Sequence, residues 1–137
     1  MARMGWRENN RAKWVGIRPG HYGTAVDLYN TMSNGERIVY TVPAGHVLYI
    51  SEVTFTSMGT AAGALSNARI KTDADVFWLA LVEHLYGAAG QLSTSRTFFQ
   101  PMEVPAGYTV EICSTNANSL GILCLHGWID SLGETVD

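Results

Sequence analysis

Histidines are the side chains of this chain best suited to metal or proton chemistry, and there are four: His21, His46, His84 and His126. None belongs to an HxH or HExxH spacing, and the chain has no CxxC, so the common ligand spacings of metal sites are missing. The nearest approach is Glu83 beside His84, but alternation along a strand would turn these side chains to opposite faces. The sequence therefore predicts neither a metal site nor a cofactor.

The residues that could act as nucleophiles or acids show no catalytic pattern. The GxSxG elbow of serine hydrolases is absent. Cys113 could approach His126 in the fold, but nothing in their spacing favours it. Glu52, Glu103 and Glu111 could supply a pair of glycosidase carboxylates, yet each falls in a predicted strand, where an outward-facing acid is expected. We therefore predict that the chain is not an enzyme.

Cys113 and Cys124 are the only cysteines. They could lie on neighbouring strands of one hairpin, where a disulfide needs Cα atoms within about 7 Å. Two cysteines do not make a disulfide framework, however, and free buried thiols are the favoured interpretation.

A tetrapeptide that occurs twice indicates how the chain is organised. Val42-Pro43-Ala44-Gly45 and Val104-Pro105-Ala106-Gly107 each precede a strand-like run. Proline fixes φ and cannot donate to a ladder, whereas a glycine two residues later tolerates the positive φ of a tight turn. Each copy is therefore interpreted as a corner between antiparallel strands, and shared turn chemistry is favoured over an internal duplication.

The periodicity between these corners predicts an all-β chain. Because β-branched and aromatic residues crowd Asp75–Tyr86, that segment is predicted as a strand rather than a helix. Seven or eight short strands without a confident helix are typical of a sandwich. The predicted strands lie near residues 37–42, 46–56, 68–71, 75–86, 96–99, 108–114 and 120–129.

The strand at 46–56 has an unusual pattern. Leu48 and Ile50 share one parity, whereas Val53 and Phe55 share the other. Strict alternation would keep one face polar. The pattern predicts a strand that is apolar on both faces, either central in a stack or exposed at a subunit contact.

Composition limits the class of protein. The 137 residues are 47% hydrophobic and 15% charged, which suits one folded domain. No segment resembles a signal peptide, and no apolar run approaches the roughly 18 residues of a membrane span. We expect a protein without membrane association that is made in a cytoplasm.

Basic residues are concentrated at the amino terminus. Residues 1–26 hold five basic residues and one acidic residue, whereas residues 27–137 hold four basic and eleven acidic residues. The same segment carries large anchors typical of protein interfaces, so docking on a protein is favoured over nucleic acid, which would need several phosphate contacts. A loosely ordered terminus is the alternative. The candidate contact residues are Arg3, Trp6, Arg7, Arg11, Lys13, Trp14, Ile17, Arg18 and Tyr22.

These observations divide the chain into three parts. Residues 1–36 lack clear periodicity and are predicted to form an extended basic arm. Residues 37–130 are predicted to form the β-sandwich, and residues 131–137 a polar tail.

The residues of the predicted body resemble a known class of proteins. They are Arg37–Gly45, the following Leu48-Tyr49-Ile50, the run Phe98–Gly107 and the closing Leu125–Ile129. Their order resembles small jelly-roll virion proteins of tailed bacteriophages, above all capsid decoration (cement) proteins and some tail or fibre modules. The resemblance covers about residues 37–130 and lies in turn and strand chemistry.

The resemblance implies a fold and a set of partners. The fold is an antiparallel jelly-roll β-sandwich with an extended amino-terminal arm. The chain would form a homotrimer on the capsid exterior and bind the major capsid protein, with the arm clamping a neighbour. Direct nucleic-acid binding is not expected, and neither is a cofactor. Trimerisation would give a role to the strands at His46–Thr56 and Asp75–Tyr86, which are both apolar on two faces. The possible subunit interface residues are Tyr49, Phe55, Trp78 and Trp128.

Two other functions remain open from the sequence. The chain could be a carbohydrate- or receptor-binding module of a phage tail or fibre, in which exposed Trp78, Trp128, Tyr86 or Tyr108 would stack on sugars. A cupin-like enzyme is the third possibility, and the missing metal motif disfavours it.

Overall fold

Eight β-strands and no helix make up the residues described by the computed structural model, which are 24–32, 35–115 and 120–131. The strands are β1 (Thr24–Met32), β2 (Gly35–Thr41), β3 (His46–Gly59), β4 (Leu65–Lys71), β5 (Phe77–Leu85), β6 (Gly90–Val104), β7 (Thr109–Ser114) and β8 (Leu120–Ser131).

The strands form two antiparallel four-stranded sheets. Sheet A has the order β1-β8-β3-β6, and sheet B has the order β2-β7-β4-β5. The strands pair as β1 with β8, β2 with β7, β3 with β6 and β4 with β5. The first half of the chain therefore runs back along the second half like one long hairpin, rolled into two sheets. This nesting is the jelly roll, and the predicted sandwich is confirmed.

The two Val-Pro-Ala-Gly corners lie side by side. Gly45 and Gly107 both have positive φ, 77° and 84°. The Val42 amide donates to the Tyr108 carbonyl, and the Gly107 amide donates to the Val42 carbonyl, each at 2.9 Å. The repeated tetrapeptide thus forms a pair of hydrogen-bonded corners, one ahead of sheet A and the other ahead of sheet B.

A β-bulge in β3 explains its unusual pattern. Ile50 lies opposite Gly127 on β8 and Glu52 lies opposite His126, so Ser51 is an extra residue. The extra residue reverses the alternation, and therefore Leu48, Ile50, Val53 and Phe55 all face the core and are fully buried. The change of face predicted between Ile50 and Val53 is therefore the bulge, whereas Val47 and Tyr49 place apolar side chains on the outer face of β3.

The hydrophobic core lies between the sheets. Fully buried side chains come from both sheets and from both corners, because alternate residues along each strand point between the sheets. The largest are Phe55, Leu48, Ile50, Ile70, Leu81, Ile112, Leu123, Leu125, Val42, Val53, Val104 and Val110.

Several strand boundaries differ from those predicted. β1 and the first residues of β2 lie in the segment expected to be arm. Among the side chains of β1 that the structure describes, Val26 and Leu28 are the apolar ones packed against the core, which is too few to show a period. The strand predicted at 75–86 is confirmed as β5. β6 continues past Pro101, which is tolerated because β6 is an edge strand.

Candidate functional site

One edge of the sandwich carries most of the exposed large apolar side chains. β5 ends sheet B and β6 ends sheet A, and side chains from the two strands meet, so both lie on the same side; we call this side, with the approach to β5, the β5–β6 edge. Of the nine exposed large apolar residues described, six belong to it: Val76, Phe77, Trp78, Leu85, Leu92 and Phe99. Such a concentration is typical of a contact surface.

Phe99 projects from an irregular, four-residue bulge in β6. Ile50 of β3 pairs with Met102 and Glu52 pairs with Thr97, so Ser51 faces a four-residue segment, 98–101. Within this segment Phe98 packs against the core, whereas Phe99 is fully exposed. The bulge therefore presents an aromatic ring to solvent at the margin of the sheet.

Polar side chains link the two strands of this edge. The Arg96 guanidinium donates to the Leu81 carbonyl oxygen at 2.6 Å and lies 5.1 Å from the centre of the Phe98 ring. Thr94 Oγ1 lies 2.9 Å from His84 Nε2. Residues 90–97 of β6 are all exposed, so these side-chain bridges leave the strand itself uncovered.

The approach to β5 is well ordered by hydrogen bonds. Thr72 Oγ1 accepts from the amides of Ala74 and Val76, and the Lys71 ammonium donates to Asp75 at 2.9 Å. Asp75 has φ 63°. These bonds hold the turn that places Val76 and the following aromatic residues at the surface. Trp78, 39% exposed, meets the Tyr108 ring edge-on at 5.2 Å.

The opposite side of the sandwich is a second open edge. β1 ends sheet A and β2 ends sheet B, and the two strands contact each other; we call this side the β1–β2 edge. Tyr29 and Ile38 are exposed there, at 69% and 58%. Within the part of the chain that the structure describes, each strand pairs on one side only, so its other side has main-chain groups outside the described ladders.

An ion cluster joins three strands on the outer face of sheet B. The Arg69 guanidinium lies 2.9 Å from Glu36 and 3.4 Å from Glu111, and Lys71 lies within 4.0 Å of both carboxylates. Glu111 is 2% exposed and also accepts from the Thr109 hydroxyl at 3.0 Å. A buried carboxylate with these partners has a structural role.

A serine and a histidine meet inside the sandwich, which the sequence did not indicate. Ser57 Oγ lies 2.7 Å from His84 Nδ1 and also contacts the Tyr86 hydroxyl. Burial lowers the pKa of His84, which favours the neutral imidazole that a base requires. Ser57 is 1% exposed, however, so a substrate cannot reach its hydroxyl. The contact satisfies buried polar groups.

The predicted interface residues separate into three environments. Phe55 is fully buried in the core, because the bulge in β3 turns it inward, so its assignment to a subunit interface was wrong. Trp128 is 3% exposed and stacks on half-buried Tyr49 at 5.1 Å. Trp78 is the most exposed of the four and belongs to the β5–β6 edge. The predicted contact residues of the arm, from Arg3 to Tyr22, lie outside the described residues.

The other candidate groups do not converge. Glu52 and Glu103 lie on the outer face of sheet A and Glu111 on that of sheet B, so Glu111 pairs with neither of them. Cys113 and His126 are likewise on different sheets. Cys113 and Cys124 are free, as predicted, and burial raises the pKa of the Cys113 thiol.

The described residues were also compared with the requirements of a metal site and of a membrane-spanning helix. Among residues 24–32, 35–115 and 120–131, no group of three or more His, Cys, Asp or Glu could hold a metal ion. No helix in this part of the chain is long and apolar enough to cross a membrane.

Comparison with known proteins gives a distant likeness. No family model matches the chain, and no curated protein matches it. Two crystal structures described as a pentameric capsid protein isolated from metagenomic phage sequences are similar. The first is 17% identical with a TM-score of 0.42. The match covers 77% of this chain and 61% of the capsid protein's chain, so this chain spans less than two thirds of that protein's length. The second is 16% identical with a TM-score of 0.48, and the match covers 87% of this chain and 76% of the capsid protein's chain. Such low values carry no argument about function.

Proposed function

We propose that this chain is a non-enzymatic structural protein of a virion, a decoration subunit that binds and stabilises the major capsid lattice from outside. The observation that carries the proposal is the concentration of exposed apolar side chains on the β5–β6 edge. A surface of this kind suits permanent contact with protein. The resemblance of residues 37–130 to decoration proteins supports the same function.

The arm supplies the second contact in this proposal. Its five basic residues and its large anchors, Trp6 and Trp14 among them, suit a negatively charged protein surface. The arm would clamp a neighbouring subunit, and the homotrimer implied by the resemblance is the proposed assembly.

The buried polar chemistry is consistent with this function. The Ser57–His84 contact joins the two sheets and the contacts of Glu111 join strands of sheet B, and Ser57, His84 and Glu111 are all buried. Such contacts stabilise the folded subunit.

A sugar-binding function is less well supported. Of the four aromatic residues suggested for stacking, Trp128 and Tyr86 are buried. Tyr108 is half-buried and its ring contacts the edge of Trp78. Of the four rings suggested for stacking, Trp78 is therefore the one that is exposed, so these four do not form a sugar-binding platform.

Co-sedimentation tests the proposal. The full chain is mixed with purified capsids that lack it, and bound protein is measured against the number of capsid subunits. Saturable, stoichiometric binding that is weakened by Trp6→Ala and Trp14→Ala together is the expected result. No binding to capsids, with glycan binding that Trp78→Ala abolishes, would instead favour the sugar-binding module.

A further inference from the structure

We infer that copies of this chain associate head to tail, with the β1–β2 edge of one copy docked on the β5–β6 edge of the next. The inference rests on the proposed structural function and names the partner of its exposed edge, a second copy of the chain. The two edges lie on opposite sides of the sandwich, separated in each sheet by two strands. They cannot cover each other within one molecule, and a contact between two different surfaces generates a ring when the rotation between copies closes, which is the assembly we infer.

Residues 90–97 of β6 lack the lysine, proline and bulges that usually protect an edge strand. Natural edges carry lysine, proline or inward-pointing charge, or are covered by another element. Residues 90–97 of β6 contain no lysine and no proline, and Arg96 is occupied by the Leu81 carbonyl. This stretch pairs with β3 without interruption, from Thr97 opposite Glu52 to Gly90 opposite Gly59. It is therefore a regular, open edge that another strand can extend.

β1 of a second copy matches this stretch in length and belongs to the corresponding sheet. β1 has nine residues, and residues 90–97 of β6 form a comparable run before the bulge. Antiparallel addition of β1 to β6 would continue sheet A from one copy into the next, as in β-augmentation. Tyr29 would then approach the aromatic and aliphatic side chains of the receiving edge.

The area of the contact is sufficient for a stable assembly. An edge nine residues long measures about 30 Å at roughly 3.3 Å per residue. Two sheets about 10 Å apart, with their outward side chains, make an edge roughly 20–25 Å thick. The product, on the order of 600–750 Å² for each copy, approaches the roughly 800 Å² per partner of standard protein interfaces.

Charge favours the same arrangement. Residues 72–104, which form the β5–β6 edge, hold four acidic side chains and Arg96 as their one basic side chain. Residues 1–26 hold five basic and one acidic, and they lead directly into β1. Docking β1 on the β5–β6 edge therefore pairs a strand that follows a basic sequence with an edge of acidic sequence.

Mixing two edge variants of the full chain tests the inference. Tyr29→Asp with Ile38→Asp disables one edge, and Leu85→Asp with Phe99→Asp disables the other; all four side chains are exposed, so folding is retained. Native mass spectrometry should show a ring for the wild type, monomers for each variant alone and a heterodimer for the equimolar mixture, which retains one intact pair of edges. Met58→Asp, also exposed and apolar but on an inner strand, should leave the ring intact.

Other outcomes overturn the inference. A monomeric wild type, a ring that survives either pair of substitutions, or a mixture that stays monomeric is incompatible with a head-to-tail contact. A dimer formed by either variant alone would also contradict it and would indicate that like edges pair with each other. Circular dichroism of each variant confirms that monomers are folded. Capsid co-sedimentation is a separate measurement, so binding of monomers to capsids would leave the proposed function standing while the inference fails.

Discussion

The guanidinium of Arg96 on β6 donates a hydrogen bond to the carbonyl oxygen of Leu81 on β5, 2.6 Å away. β5 has an irregular register near this point, between its pairs with Ala68 and Arg69 of β4, where Leu81 is the additional residue. The bulge therefore leaves the Leu81 carbonyl outside the ladder of β4 and β5. The Arg96 guanidinium donates to this carbonyl and so links the two sheets.

Removing this link should loosen the β5–β6 edge. We expect Arg96→Ala to lower the free energy of unfolding by about 1–3 kcal/mol, because the Leu81 carbonyl loses its partner and the Phe98 ring loses a cation. Urea unfolding measures the change. Thr97→Ala, at the next exposed position, is the matched control and should change stability by less than about 0.5 kcal/mol. Equal losses in both variants would show that the link is not structural.

Gly127 is required by the bulge in β3. A Cβ at this position would overlap the carbonyl oxygen of Tyr49, which is main chain and cannot move aside like a flexible side chain. We expect Gly127→Ala to cost more than about 2 kcal/mol of stability. Gly87→Ala is the control, since no atom lies within 4 Å of its added methyl and its φ is not positive. A similar loss at both positions in thermal melts would contradict this assignment.

The sequence predicted the corners of the sandwich better than its edges. The Val-Pro-Ala-Gly pair signals its turns by residue type alone, since proline and glycine act through local backbone geometry. The reversed parity after Ile50 has two physical explanations, a bulge or a strand apolar on both faces, and periodicity cannot separate them. Gly127, which makes room for the bulge, is 77 positions from Ile50, so only the paired strands reveal its role.

The candidate site, too, could be predicted only in part from the sequence. The sequence indicates Trp78 as an interface candidate because its strand is apolar throughout, but it predicts Phe99 only as a strand residue. Its exposure depends on the four-residue bulge opposite Ser51, which is a property of two strands far apart in sequence. The Ser57–His84 contact likewise joins different sheets and has no local signal.

His84 should make stability depend on pH. Burial lowers the pKa of this imidazole below its ordinary value, so the unfolded chain binds a proton more readily than the folded chain. The contribution to stability is therefore complete above about pH 6.5, the pKa of an unperturbed histidine, and is lost as the pH falls below that value. We expect the free energy of unfolding to decline more steeply below pH 6.5 in the wild type than in His84→Gln.

Urea unfolding across this range checks the prediction, and identical pH profiles for the two proteins would contradict it. If His84→Gln does not fold, NMR titration of the His84 ring in the wild type gives the midpoint directly. A midpoint at or above the unperturbed value would show that burial does not control this group.

Ser57 should be unreactive in the folded protein although it lies 2.7 Å from a histidine nitrogen. Its hydroxyl is enclosed between the sheets with the Tyr86 hydroxyl, so a fluorophosphonate probe should not label the native chain. Ser57→Ala should instead destabilise the fold by about 1–3 kcal/mol, because His84 and Tyr86 lose a partner inside the sandwich. Intact-mass measurement detects labelling, and Ser51→Ala, at a half-buried position on the same strand, serves as the control. Labelling of the native protein that Ser57→Ala removes would show an accessible nucleophile and support a hydrolase in place of a purely structural protein.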